Sequence, residues 1–229
     1  MAIKVAIADD HQLFRKLLST YLSQHKDVDV ALEASDALEL FAKMNTTRVD
    51  VVLSDLYMPR MNGIDAATIL RNEFPEVKII IISLCTDINV IRTFLDIGIY
   101  AYLTKNEEPY NVLTAIKAAF EDRIYKNELF TQALYTNKEV EIKTGGRRSE
   151  ININQREKQV IQLIWEEKSN KEISDIIYLS VSSIEKIKQE LKERLNVRSL
   201  AGLIRYGLLN GIITLKQPLA PEMVQVLRT

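Results

Sequence analysis

The feature that most constrains this chain is a fivefold alternation of short apolar runs with longer amphipathic stretches. The runs are Ile3–Ala8, Val28–Ala34, Val49–Ser54, Val77–Leu84 and Ile99–Leu103. Helical patterns near 11–25, 36–44, 64–72, 87–97 and 109–122 separate or follow them. Continuous apolar runs of this length read as strands buried on both faces, which is the condition of a parallel sheet. Parallel neighbours need crossover connections, and the intervening stretches are long enough to be helices. The first half therefore predicts an α/β domain: a five-stranded, doubly wound parallel sheet. In the first helix, Leu13, Leu17, Leu18, Tyr21 and Leu22 are expected to form one apolar face.

From about residue 154 the strand-like runs stop and only helical patterns remain. Asn154 with Glu157 predicts a capped helix running to about Lys168, and Ser169 is positioned to cap a short helix over 170–178. Ser182 with Glu185 reads as a capping box for a helix over 183–195, and a fourth helix follows near 199–209. The expected organisation is a first domain over 1–125 and a linker over 126–149, partly helical and then flexible and basic around Gly145-Gly146. An all-α domain over 150–214 and a tail over 215–229 complete it.

Composition narrows the class. Hydrophobic content of 47% with 27% charged residues excludes disorder. The longest apolar stretch is far short of the ~20 residues of a membrane helix, and no signal peptide is visible at Met1–Lys4. One cysteine excludes internal disulfides and Cys-rich zinc sites. A cytoplasmic protein without membrane partners is expected. Residues 1–125 carry net −5, while 126–149 and 150–229 each carry +2, so the two halves are expected to meet different partners.

Asp9 and Asp10 follow the first run, and Asp55 follows the third. Ligands of open α/β sheets bind beyond the carboxyl ends of the strands, where the strand order reverses. If the order is 2-1-3-4-5, that point lies between strands one and three, and the three carboxylates would then converge in one crevice. Such a cluster calls for a cation, and hard oxygen ligands suit Mg²⁺. Ser83 ends the fourth run and Lys105 follows the fifth, adding a hydroxyl and an ammonium to the same rim. A carboxylate beside Mg²⁺ and lysine is set up to attack phosphorus and form an aspartyl phosphate.

The Asp9-Asp10 pair, Asp55 within Val51–Pro59, Ser83 and the run Tyr102-Leu103-Thr104-Lys105 resemble the receiver domain of two-component response regulators. The resemblance covers residues 3–122 and implies the flavodoxin-like strand order 2-1-3-4-5. It implies that Asp55 accepts a phosphoryl group from the phosphohistidine of a sensor histidine kinase. It also implies that Asp9, Asp10, Asp55 and the backbone carbonyl of Tyr57 hold Mg²⁺, and that Lys105 pairs with the phosphate. Ser83 and Tyr102 would be the hydroxyl and aromatic switch residues, Ser83 closing on the phosphate and vacating space for Tyr102. Leu84 stands where such domains usually carry a small residue. Tyr57 and Cys85 occupy positions that tune dephosphorylation, and slow phosphate loss is expected from their shielding. Cys85 itself is expected to be a buried structural thiol.

The stretch 170–195 reads helix, turn, helix. Ile184, Ile187, Leu191 and Leu195 form an inward stripe, while Lys186, Gln189 and Glu193 face outward with Glu185 and Glu190 beside them. In a helix-turn-helix the second helix enters the major groove. Lys186 is then placed for guanine acceptors and Gln189 for adenine, with Lys171, Lys188 and Lys192 on phosphates. Asn154–Glu157, Ser169–Ile173, Leu179-Ser180, Ser183-Ile184 and Leu195–Ser199 resemble the LuxR-type helix-turn-helix, which adds Ser182, Ser183 and Arg198 to the candidate contacts. The whole chain is similar to regulators of the NarL/FixJ type. That implies double-stranded DNA as a partner, homodimerisation on phosphorylation, no enzymatic turnover, and Ala201, Ile204, Leu208 and Leu209 near the dimer surface. Glu185 and Ile187 stand where the family often has a basic residue and a histidine, and Leu200 replaces a frequent arginine, which implies weaker or more dimer-dependent DNA binding. The alternative is a phosphorylation-independent regulator or interaction module. An Mg²⁺-dependent aspartyl-phosphate phosphatase is more remote, because the paired Asp spacing of that class is missing.

Overall fold

The computed structural model describes residues 2–135 and 153–214. The basic Gly145-Gly146 segment and the tail therefore lie outside the described residues. Five parallel strands, β1 (Ile3–Ala8), β2 (Val28–Ala34), β3 (Val51–Ser54), β4 (Lys78–Ser83) and β5 (Ala101–Thr104), pair in the order β2-β1-β3-β4-β5. The central strands are almost wholly buried, as uninterrupted Val and Ile runs require. Between the strands lie α1 (Gln12–Leu22), α2 (Ala37–Met44), α3 (Gly63–Glu73) and α4 (Ile88–Ile97), and α5 (Pro109–Phe120) follows β5. Helix α5 meets α1 and the strands β3, β4 and β5, whereas α3 packs on α4.

The helical part comprises α6 (Glu128–Tyr135), α7 (Gln155–Trp165), α8 (Asn170–Ile177), α9 (Val181–Arg194) and α10 (Leu200–Leu209). Capping boxes open α7 at Asn154/Glu157 and α8 at Ser169/Glu172. Helix α7 ends at Trp165, earlier than expected, and Glu167 takes a left-handed conformation (φ 58°) just beyond it.

Two expectations are corrected. Helix α1 buries Leu18 and Leu22, with Phe14 and Tyr21 half-buried, but Leu13 is 74% exposed and Leu17 is also exposed. Leu13 and Leu17 each precede an inward residue by one position, about 100° around the helix, so they leave the core face. Helix α9 is capped by Ser180, whose side chain accepts from the Ser183 amide, not by the Ser182–Glu185 box. The helix begins at Val181, one turn position too early for Ser182 to lie outside it.

Candidate functional site

Each acidic residue is placed by the backbone ladder before its side chain acts. The Asp9 amide donates to the Ala34 carbonyl, the Asp55 amide to the Ala8 carbonyl and the Lys105 amide to the Ser83 carbonyl. The ends of β1, β3 and β5 thus face one crevice, with Asp9 and Asp55 buried and Asp10 exposed. Lys105 Nζ lies 2.8 Å from Asp9 Oδ2 and 2.7 Å from Asp55 Oδ2. Burial works against the ammonium, but the bonds to Asp55 and Asp9 outweigh it, and its pKa lies above the ordinary lysine value. The remaining carboxylate oxygens are aimed by the chain: Asp55 Oδ1 accepts from the Leu56 amide (2.6 Å) and Asp9 Oδ1 from the His11 amide (2.8 Å). The Phe14 ring lies beneath Lys105, 5.0 Å from ring centroid to Nζ.

Oxygens of Asp9, Asp10 and Asp55 and a ring nitrogen of His11 lie within 4.8 Å of one another. That donor set fits a divalent cation, with Lys105 now supplying the positive charge between two of the carboxylates.

Ser83 is fully buried, and its Oγ accepts from the Cys85 amide. Tyr102 is also fully buried, and its hydroxyl donates to the Cys85 carbonyl at 2.8 Å. The aromatic side chain is inside the fold, its ring 6.0 Å from that of Phe94. Burial pushes its phenol pKa well up. Cys85 is half-buried rather than fully buried. Tyr57 and Leu84 flank the crevice with side chains 62% and 61% exposed. Tyr57 interacts with Cys85, which raises the phenol pKa.

Gly63 was not singled out by sequence reasoning, yet it sets the loop behind Asp55. Its amide donates to the Leu56 carbonyl (2.7 Å), and a Cβ there would stand 2.6 Å from the Asp55 carbonyl oxygen. Its only sequence signal is its place after Asn62, which caps α3.

On α9, Ile184, Leu191 and Leu195 are buried and Ile187 is half-buried, while Glu185, Lys186, Gln189, Glu190 and Glu193 are exposed. Lys171, Ser182 and Arg198 are exposed, and Ser183 and Lys192 are half-buried. Lys188 differs from the other candidate contacts: it is 3% exposed. Its Nζ lies 3.2 Å from Asp122 Oδ2 and also donates to Asn170 Oδ1. Asp122, in a left-handed conformation (φ 57°) after α5, also accepts from Lys78 (3.1 Å) and the Tyr100 hydroxyl (2.6 Å). Burial alone would raise the Asp122 pKa, but Lys188 and Lys78 hold it down at about 2.

Around this contact lies a cleft of about 1,100 Å³ whose walls include Arg71, Lys78 and Asp122 on one side and Lys171, Gln189 and Lys192 on the other. Further contacts close the domains together. Ser199 Oγ donates to the Leu95 carbonyl and accepts from the Gly202 amide, joining the end of α4 to the start of α10. Arg205 pairs with Asp96, and Lys126 sits 3.6 Å above the Trp165 ring. Ala201 and Ile204 are buried within the chain, while Leu208 is half-buried and Leu209 exposed.

A parallel sheet with a carboxylate crevice at its switch point, joined to a helix-turn-helix, defines a class, and comparison with known proteins agrees with it. Residues 5–117 match the response regulator receiver domain, and residues 152–207 match the LuxR family of bacterial regulatory proteins. The chain belongs to the two-component response regulators of the NarL/FixJ type, which regulate transcription. It is similar to the oxygen regulatory protein NreC of Staphylococcus epidermidis, with 28% identity over 211 residues, covering 90% of this chain and 97% of that one. The fold is also that of the RcsB response regulator of Salmonella typhimurium (TM-score 0.55, 22% identity, 91% of this chain and 98% of that chain). The receiver domain of a response regulator called NarL from Mycobacterium tuberculosis matches with TM-score 0.51 and 26% identity, over 53% of this chain and 98% of that one. Receiver domains generally bind Mg²⁺ in such an acidic pocket, and the family implies a histidine kinase and DNA as partners. Among the described residues no helix is long and apolar enough to cross a membrane.

Proposed function

We propose that Asp55 is the phosphoacceptor and that its phosphorylation by a partner histidine kinase opens the chain for dimerisation and DNA binding. The observation that carries this reading is the buried Asp55 carboxylate held against Lys105 at the mouth of the crevice. An Asp55 carboxylate oxygen attacks the phosphorus of a phosphohistidine, the P–N bond breaks, and the imidazole leaves with the bonding electrons. Asp9, Asp10, Asp55 and the Tyr57 carbonyl would hold Mg²⁺, which neutralises charge on the phosphoryl oxygens. Lys105 exchanges its bond to Asp9 for one to the phosphoryl group, and the Ser83 hydroxyl closes on the phosphate as the switch residue with Tyr102.

The described conformation is the resting one. Lys188, Gln189, Lys171 and Lys192 border the cleft toward the first domain, where they are kept from a DNA duplex. Ala201 and Ile204 are likewise covered within the chain instead of meeting a second protomer. Once the domains part, Lys186 and Gln189 read bases, and Lys171, Ser182, Ser183, Lys188, Lys192 and Arg198 take phosphates or support the reading helix.

The test is to treat the full chain with acetyl phosphate and Mg²⁺ beside Asp55→Ala, following both by phosphate-affinity gel and by binding to duplex DNA. A retarded band and tighter DNA binding in the wild type alone are expected. Equal DNA binding by both, with no retarded band, would leave a phosphorylation-independent regulator.

A further inference from the structure

We infer, on the reading of the closed arrangement as the resting state, that the cleft between the domains binds an anion of the pyrophosphate class. Free pyrophosphate or the diphosphate of a nucleotide there locks the chain closed against DNA.

The cleft encloses about 1,100 Å³ and takes its walls from both domains. Arg71 and Lys78 reach it from the first domain and Lys188 and Lys192 from α9, and all four are buried or half-buried. One carboxylate, Asp122, stands among them, and it serves Lys78 (3.1 Å) and Lys188 (3.2 Å). Lys192 Nζ has no hydrogen bond or ion pair with any described residue. The Arg71 guanidinium makes one bond, from Nη2 to the Arg198 carbonyl (3.2 Å). The other wall carboxylates do not make up the difference. Glu121, Glu167 and Glu172 pair with Arg123, Lys126 and Lys168, Glu166 accepts from Gln162, and Glu76 and Glu185 are exposed.

Burial lowers the Lys192 pKa, and the charges of Arg71, Lys78 and Lys188 lower it further against the pull of Asp122. Cations crowded in this way and short of acceptors repel one another, and an anion placed among them removes that cost. Guanidinium and ammonium groups with free donors bind phosphate oxygens. Four cations around one carboxylate suit a multiply charged anion, and the cleft is far larger than a single phosphate requires.

Lys188 and Lys192 are also side chains assigned above to DNA, so a small anion meets here the groups that a duplex would use. Arg71 comes only from the first domain. The site is therefore complete only while the domains are closed, and an anion that binds the closed form alone shifts the population toward it.

The experiment titrates the full, unphosphorylated chain with sodium pyrophosphate and with ADP by calorimetry, free of Mg²⁺ and at constant ionic strength. Duplex DNA binding is then repeated with pyrophosphate at about ten times its wild-type dissociation constant, which is expected to weaken wild-type DNA binding about tenfold. Arg71→Gln is expected to bind pyrophosphate about tenfold more weakly, to bind DNA no more weakly than wild type, and to lose about twofold or less at the same pyrophosphate concentration. Lys186→Gln, outside the cleft, should do the reverse, with weaker DNA binding and unchanged pyrophosphate binding. ADP bound more weakly than pyrophosphate makes the free anion the ligand, and ADP bound as tightly or more tightly makes it the nucleotide; both support the site. Binding of neither, or pyrophosphate bound equally by Arg71→Gln, would overturn the inference. So would an equal loss of DNA affinity in wild type and Arg71→Gln, which is simple competition for the DNA-contacting lysines. The phosphate-affinity gel reads Asp55 without the cleft, so a retarded band with no pyrophosphate binding removes this inference and leaves the phosphoacceptor standing.

Discussion

Gly63 and Tyr57 show how single residues shape the phosphoacceptor. The loop after β3 returns so closely that Gly63 lies against the Asp55 carbonyl and the Leu56 Cα. Gly63→Ala inserts a methyl group where backbone already stands, so it must push Asp55 from Lys105. We expect a loss of about 1–3 kcal/mol in urea denaturation together with slower phosphorylation by acetyl phosphate. Unchanged values for both would mean that the loop yields freely. Tyr57 is mostly exposed, yet its phenol engages Cys85 at the crevice rim. Truncation to alanine opens that rim to water, so the half-life of phosphorylated Tyr57→Ala should be shorter than that of wild type. An equal half-life would assign Tyr57 no shielding.

At the scale of elements, α4 is the part that both domains share. It packs on α3 and α6, and α10 reaches it through Ser199 and Arg205. Within α4, Arg92 is only 5% exposed, and its Nε and Nη1 have no hydrogen-bond partner among the described residues. Burial and the nearby Arg205 charge both lower its pKa. Burial of a guanidinium with two unbonded nitrogens opposes the packing around it, the Asp96 charge offsetting only part of the cost, so an isosteric apolar residue should help. Arg92→Met is expected to raise stability by about 1–3 kcal/mol by thermal and urea unfolding. A destabilised variant would show that the guanidinium makes contacts worth more than its desolvation. Because α4 borders α6 and α10, the same variant should respond less to phosphorylation in DNA binding.

For the molecule as a whole, Asp122 is the point where the first domain holds the reading helix. Its carboxyl pKa is depressed to about 2 from an ordinary 3.8, so the ionised form favours the closed arrangement. That contribution is complete above about pH 4 and is lost as pH falls through about 2. Trp165, the single tryptophan, contacts Lys126 and Tyr135 and reports closure by fluorescence. Asp122→Asn should remove the acid-dependent part of that signal. At neutral pH it should bind duplex DNA more tightly without phosphorylation, about 3–10-fold if closure now limits the competent fraction. Unchanged affinity would mean that Lys188 is not the restraint on the resting state.

The alternation of apolar runs and helical stretches determined the strand number and the parallel pairing, because these follow from burial and crossover geometry. The order 2-1-3-4-5 was implied by the family resemblance and is the order observed. The same local signals placed Asp9, Asp10, Asp55 and Lys105 at strand ends, and the structure brings them to one crevice. The capping pairs at Asn154 and Ser169 were equally legible, since they act over three residues. The cap of α9 was not, because Ser180, Ser182 and Ser183 all have the right chemistry and only the path of the turn selects Ser180. Nor could periodicity tell that Leu13 and Leu17 leave the core, or that Tyr102 is already buried. By sequence, Lys188 is indistinguishable from Lys171 and Lys192 as a candidate phosphate contact. Only the tertiary structure sets Asp122, 66 residues earlier, against it. Local patterns record which face of an element is apolar. They do not record which other element covers the polar face, because that depends on how two separately folded domains come to rest against each other.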